Sequence, residues 1–199
     1  MYIPHYYKNE NLDEVKEFIK ENSFGILVNQ VDGKPWATHI PLELEENILE
    51  GHIAKANPQW RSFSDQTQIL CIFNGPHAYV SSSWYQEEEV PTWDYIAVHV
   101  YGKLSILDEE STMQSLHRLV NKYETRSENP VSLANMSPKT LRQVKGVVGF
   151  QIEISDIQAA YKLSQTRQDD HAAIIKNLKE RGVTESEIAR QIKKHSNNN

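Results

Sequence analysis

One cysteine in 199 residues excludes a disulfide framework. Cys71 stands inside the apolar run Ile69-Leu70-Cys71-Ile72-Phe73 and reads as a small core residue. No apolar run approaches the ~20 residues that a bilayer-spanning helix requires. The opening MYIPHYYKNE lacks the hydrophobic centre of a secretory signal, so a cytoplasmic location is expected. Neither GxGxxG nor GxxxxGKS/T occurs, which argues against dinucleotide-fold and P-loop sites. There is no HExxH, and none of the eight histidines has zinc-site spacing, so no metal is expected. No GxSxG elbow is present either, and no catalytic residue can be assigned. An excess of positive charge is missing too. The formal net charge is -6, so the surface as a whole is not a nucleic-acid footprint.

What is present reads as a β-rich domain with helices around it. Leu12, Val15, Phe18 and Ile19 make one stripe of a first helix, Asn11–Asn22, capped by Asn11. Strands are expected at Phe24–Val31, Pro35–Leu44 and Ile48–Lys55, the first two joined by an Asp32-Gly33 hairpin turn. Pro41 inside the second suggests an edge strand or a bulge. Pro58–Ser64 reads as a short helix. Gln68–Phe73 and His77–Ser81 read as two strands separated by the turn Asn74-Gly75-Pro76. Ile96–Leu107 is a long strand, with Gly102 placed for a bend or bulge. Asp108 caps a helix to Glu124, whose buried stripe is Met113, Leu116, Leu119, Val120 and Tyr123. A helix from Pro138 to Lys145, a strand from Val147 to Ile157, and helices Asp169–Arg181 and Thr184–Lys194 complete the chain. Thr184 and Glu187 suggest a capping box for the last helix. Short strands at even spacing favour a barrel over a doubly wound sheet. The expected architecture is one α+β domain over residues 1–168, a helical extension at 169–195 and a disordered tail at 196–199.

GHIAKANPQW, from Gly51 to Trp60, concentrates chemistry. Strand alternation puts His52 and Ala54 on one face and Ile53 and Lys55 on the other. Asn57-Pro58 then ends the strand. A strand-end lysine, a turn with free N–H groups and a nearby indole suit an anionic, ring-bearing cofactor. Taken alone, the motif is better read as a solvated Lys55 and a core tryptophan.

Three further stretches follow in order: GPHAYVSSSWY (Gly75–Tyr85), VPTWDYIAVHVYG (Val90–Gly102) and YKLSQTR (Tyr161–Arg167). With MYIPHYYK and ATHIP they resemble the PaiB family, FMN-binding negative transcriptional regulators with a flavin-reductase-like (pyridoxamine-oxidase-like) split β-barrel. The resemblance covers nearly the whole chain, to about Leu178. It implies FMN as cofactor, held by Thr38, His39, His52, Ala54, Lys55 and Asn57. Lys55 would supply charge to the phosphate, and Trp60, Trp84 or Trp93 a wall for the flavin ring. It also implies a homodimer repressing sporulation and degradative-enzyme (protease) genes. A flavin-dependent oxidoreductase or NAD(P)H:flavin reductase is the alternative.

The direct-DNA question rests on the C-terminus. Lys176, Lys179, Arg181, Arg190, Lys193 and Lys194 outnumber the acids there. IIKNLKERGVTESEIARQI resembles the first two helices of a helix-turn-helix, with Arg190, Lys193 and Lys194 as candidate DNA contacts. A helical hairpin packed on the barrel is the commoner outcome for such a pair.

Overall fold

The computed structural model describes residues 1–64 and 67–196. β1 (Phe24–Val31) and β2 (Lys34–Glu45) pair antiparallel, from Phe24 opposite Pro41 to Val31 opposite Lys34. Asp32 and Gly33, at φ 50° and 74°, form the expected turn, since two left-handed residues match the twist of the flanking strands. β2 turns into β3 (Ile48–Ala54), and strand parity places Leu42, Leu44, Leu49 and Ile53 in the core.

Three longer strands follow: β4 (Thr67–Val80), β5 (Thr92–Ile106) and β6 (Val147–Lys162). The order β1-β2-β3-β6-β5-β4 closes into a barrel. Closure leaves no edge strand among the described residues of the barrel, so the edge reading of Pro41 is corrected. Proline is tolerated there because the ladder to β3 runs only from Leu42 to Glu45.

The Asn74-Gly75-Pro76 turn is likewise corrected: β4 runs straight through it. What changes there is parity. Ile69, Cys71 and Phe73 are buried before it, Ala78 and Val80 after it. A slip of one residue moves a strand's buried set to the other face, which these turn-forming residues allow. β6 does the same, burying Phe150, Ile152 and Ile154, then Ala159 and Tyr161. It therefore runs past the expected end at Ile157. The buried row of β5 keeps its parity through Gly102, so no bulge falls there. A Cβ there would stand 2.4 Å from the carbonyl oxygen of Glu153, so glycine permits close backbone approach.

The described residues sort into two compact units, and β4, β5 and β6 contribute to both. One unit comprises residues 19–72 and 100–157. Its core includes Leu27, Leu49, Phe150 and Ile152, with Phe63 edge-on to Phe150 at 5.7 Å between centroids. It carries α2 (Glu109–Glu124), capped by Asp108, which accepts from the Ser111 N–H at 2.7 Å. The expected buried stripe of α2 is corrected: Met113, Leu116, Leu119 and Val120 are only half-buried and Tyr123 is exposed, while Thr112 is buried. The Pro138–Lys145 helix is also corrected. It is α3 (Pro138–Leu141) followed by a 3-10 turn, Arg142–Gly146.

The other unit comprises residues 1–18, 73–99 and 158–199. It holds the start of α1 (Leu12–Glu21) and a hairpin of α4 (His171–Lys179) and α5 (Val183–Ser196). Ile174 and Leu178 on α4, with Ile188, Ala189 and Ile192 on α5, are fully buried. α5 begins at Val183, so Thr184 lies inside the helix and the capping box does not form. Ser196, expected in the tail, is the last residue of α5 and donates to the Ile192 carbonyl at 2.7 Å. The remaining tail expectation, at 197–199, lies outside the described residues. No described helix is long and apolar enough to cross a membrane.

Candidate functional site

The end of β3 and the start of β6 are held in register, Ala54 opposite Val147 and His52 opposite Gly149. Just beyond the ladder the Lys55 N–H donates to the Gly146 carbonyl at 2.8 Å. This brings Lys55 beside Lys145, 90 positions apart in sequence. The two lysines stand on a cavity of about 320 Å³, at the lower end of the usual range for ligand pockets. Its walls are mainly apolar: Trp60, Ile106, Leu107, Met113, Val144, Val147 and Val148, with Gly149 and the N-terminal turn of α2 at Glu109 and Thr112.

Gly149 shapes this cavity. A Cβ there would lie 2.3 Å from Thr112 Oγ1, so only glycine lets α2 approach β6 so closely. The Leu107 N–H donates to the Gly149 carbonyl at 2.9 Å, fixing the same corner. Trp60 is placed by its own indole, whose Nε1–H donates to the Lys55 carbonyl at 2.9 Å. Its 3-10 turn, Pro58–Ser62, is anchored by the fully buried Gln59. The Gln59 amide donates to the Leu27 carbonyl at 3.2 Å and to Asn29 Oδ1 at 2.9 Å, and accepts from the Thr38 hydroxyl.

The residues singled out from sequence divide accordingly. Lys55 and Trp60 line the cavity. Thr38 and Asn57 belong to the Gln59 network. Asn57 donates to Thr38 Oγ1 at 2.9 Å and accepts from the Gln59 N–H at 3.0 Å, so its amide is spent at both ends. His39 is exposed and stacks on Phe24 at 6.3 Å. His52 is half-buried, and burial lowers its pKa; Ala54 is exposed at the end of β3. Trp84 and Trp93 belong to the other unit and are not among the lining residues. Trp84 lies 4.4 Å under the Arg181 guanidinium, and Trp93 meets Tyr79 and His77. The expectation of free N–H groups in the Asn57-Pro58 turn is corrected for three of them. Those of Lys55, Asn57 and Gln59 donate to Gly146, Ala54 and Asn57. Lys145, Gly149 and the α2 wall were missed by the sequence reading. The pairing of β3 with β6 joins them to Lys55, and nothing local announces it.

Electrostatically the cavity suits an anion. Among the described residues neither Lys55 nor Lys145 has an ion-pair partner, and the two ammonium groups stand against one lining carboxylate, that of Glu109. Apolar walls with an indole suit a flat ring. An FMN molecule needs both features, and these residues fit it. At the C-terminus, Arg190 pairs with Glu187 at 2.6 Å and Lys194 with Glu14 at 2.5 Å, while Lys193 is exposed.

Comparison with known proteins accords with this geometry. The family model described as "Putative FMN-binding domain" matches residues 1–156. The chain is 48% identical over 184 residues, 89% of each chain, to "Protease synthase and sporulation protein PAI 2" of Bacillus subtilis (strain 168). In fold it resembles the flavocytochrome Anf3 from Azotobacter vinelandii, at TM-score 0.64 and 12% identity over 79% of this chain and 70% of that one. It also resembles the FAD and heme binding protein from Mycobacterium smegmatis, at TM-score 0.62 and 12% identity over 78% and 73% of the two chains. The six-stranded barrel is thus a flavin-type split barrel, the cofactor its family model describes is FMN, and the chain belongs to the PaiB family.

Proposed function

We propose that the cavity beside Lys55 holds FMN and that the protein acts as a negative transcriptional regulator in the manner of the PaiB family. The observation that carries the binding reading is the pair of unpartnered ammonium groups, Lys55 and Lys145, on a cavity walled by Trp60. In this reading the lysines hold the phosphate and the indole stands against the ring system. FMN, when bound, supplies one- or two-electron redox chemistry. The protein's part is to hold the phosphate, wall the ring and keep water from it. Thr38, Asn57 and Gln59 act indirectly, by fixing the turn that carries Trp60.

The regulatory part is supported by the 48% identity to a protein named for protease synthesis and sporulation. It includes a cytoplasmic location and a homodimer. The half-buried stripe Leu116, Leu119 and Val120 on α2 supports a partner surface. Direct DNA contact would fall chiefly to Lys193, since Arg190 and Lys194 are engaged by carboxylates.

The test starts with the absorbance spectrum of freshly purified protein and an FMN titration. Protein that stays colourless in excess FMN removes the binding reading. Gel shifts with upstream DNA at several salt concentrations test the repressor role, and binding without sequence preference removes it. Sedimentation at micromolar concentration should give twice the 23.0 kDa chain mass. Anaerobic bleaching of the flavin by NADH or NADPH would favour a flavin reductase instead.

A further inference from the structure

Three of the motif stretches, GPHAYVSSSWY, VPTWDYIAVHVYG and YKLSQTR, lie outside the proposed flavin cavity and meet around a second cavity of about 150 Å³. None of its lining residues lines the first cavity. Strand parity explains its central group. Ile96, Val98, Val100 and Leu104 form the buried row of β5, and Asp94 stands at the head of that row. Its carboxylate is therefore fully buried. Oδ2 accepts from the Ser164 hydroxyl at 2.7 Å and the Ser164 backbone N–H also favours the charged carboxylate, whereas Oδ1 has no hydrogen-bond partner. Ser164 holds its place at φ 56°, a strained backbone for a residue with a side chain, and its carbonyl accepts from the Arg167 N–H at 2.9 Å. Strain of this kind collects at binding sites.

Opposite charge lines the same cavity. The Lys162 ammonium donates to Thr92 Oγ1 and, at 2.8 Å, to the Trp93 carbonyl. An ammonium has three donors, so one remains. No hydrogen bond or ion pair joins Lys162 to Asp94. The Tyr85 hydroxyl also lines the cavity, buried and unpartnered, its ring under the Arg167 guanidinium at 4.4 Å. Arg167 itself is engaged by Glu89 at 2.6 Å.

Three polar groups thus have unused capacity: the buried Asp94 Oδ1 and Tyr85 hydroxyl, which have no partner, and the half-buried Lys162 ammonium, which keeps one N–H beyond Thr92 and Trp93 and stands 5.7 Å from the Tyr7 ring centroid. Buried polar groups are costly when unpaired, and buried charges more so. A neutral occupant would leave the two charges only partly compensated. An occupant positive at one end and negative at the other satisfies all three. The size is bounded as well, because a cavity of roughly 150 Å³ admits benzene, a molecule of about six non-hydrogen atoms. We propose that this cavity binds a small α-amino acid, its ammonium on Asp94 Oδ1 and its carboxylate on Lys162 and the Tyr85 hydroxyl.

The proposal carries a pH signature. Burial raises the Asp94 pKa to about 6, against the opposing pull of Ser164, Lys162 and His171. Glu89, Asp170 and Arg167 surround Tyr85 on the same side. An ammonium requires the ionised carboxylate, so affinity should rise with pH through this range.

Calorimetric titration of the full-length protein with L-alanine, L-serine and L-threonine tests it, with acetate and methylamine as half-ligands. At least one amino acid should bind in the millimolar range or tighter, and each half-ligand roughly tenfold or more weakly. Asp94→Asn and Lys162→Met should each weaken that binding about tenfold or more, with FMN binding as a control for folding. If Asp94→Asn does not fold, Lys162→Met carries the comparison. No heat from any of the three amino acids overturns the proposal, as does acetate binding as well as serine. So does parental amino-acid affinity in a folded variant.

Discussion

The backbone N–H of Lys55 donates to the carbonyl of Gly146 at 2.8 Å, and through that bond Lys55 and Lys145 come to line one cavity, the one proposed to hold FMN. Lys55→Ala and Lys145→Ala should each remove a charge-assisted contact to the FMN phosphate, costing about tenfold in affinity. Riboflavin lacks the phosphate and should bind both variants as it binds the parent. Fluorescence titration with both flavins reads the difference. Equal losses for the two would move the lysines' role away from the phosphate.

Gln59 should prove the most sensitive residue of its turn. It is fully buried and bonds Leu27, Asn29 and Thr38. Gln59→Ala leaves three polar groups without that partner and opens a cavity, so it should cost about 2–4 kcal/mol. Urea unfolding measures this. Because the same turn carries Trp60, FMN affinity should fall in parallel. Stability lost with affinity intact would detach the network from the cavity.

Two glycines should respond differently to alanine. At Gly102 the new Cβ meets the Glu153 carbonyl oxygen at 2.4 Å, and main chain cannot rotate aside. A loss of about 1–3 kcal/mol or more follows from such overpacking. At Gly33 nothing lies within 4 Å, and the cost comes only from φ 74°. Gly33→Ala should cost about 1 kcal/mol, and Gly33→Asn less, because asparagine tolerates that backbone. Thermal melts of the three variants rank them, and Gly33→Ala matching Gly102→Ala would contradict the steric account.

Asp94 gives stability a pH dependence of defined sign. Its pKa is raised by burial to about 6, above that of an unfolded aspartate, so between about 4 and 6 the folded state binds the extra proton. Stability from this group therefore declines as pH rises through that window and levels off above it. The span is at most roughly 3 kcal/mol. Glu14, Glu89 and Glu187 are shifted downward and act in the opposite sense, so the comparison is with Asp94→Asn. The parent's stability relative to that variant should fall from pH 4 to 6.5 in chemical denaturation. A flat difference would show that Asp94 does not carry the proton.

Much of this protein is set by local rules. The Asp32-Gly33 hairpin, the Asp108 cap, Ser137-Pro138 at a helix start and the buried Cys71 each follow from a short window. Backbone preference and strand parity act over a few residues, and a reader of the chain sees them. Lys55 and Trp60 were legible for the same reason, as a charge and a ring beside a proline turn. Three things required the tertiary structure. Closure of the sheet removed the edge that Pro41 suggested and let β4 and β6 run through residues that read as breaks. Pairing β3 with β6 brought Lys145 and Gly149 to Lys55, and only then did a cavity exist. The row of β5 carried Asp94 into the interior, where burial alone turned an ordinary carboxylate into a half-satisfied one. Burial and long-range register come from the whole fold, which is why no stretch of sequence contains them.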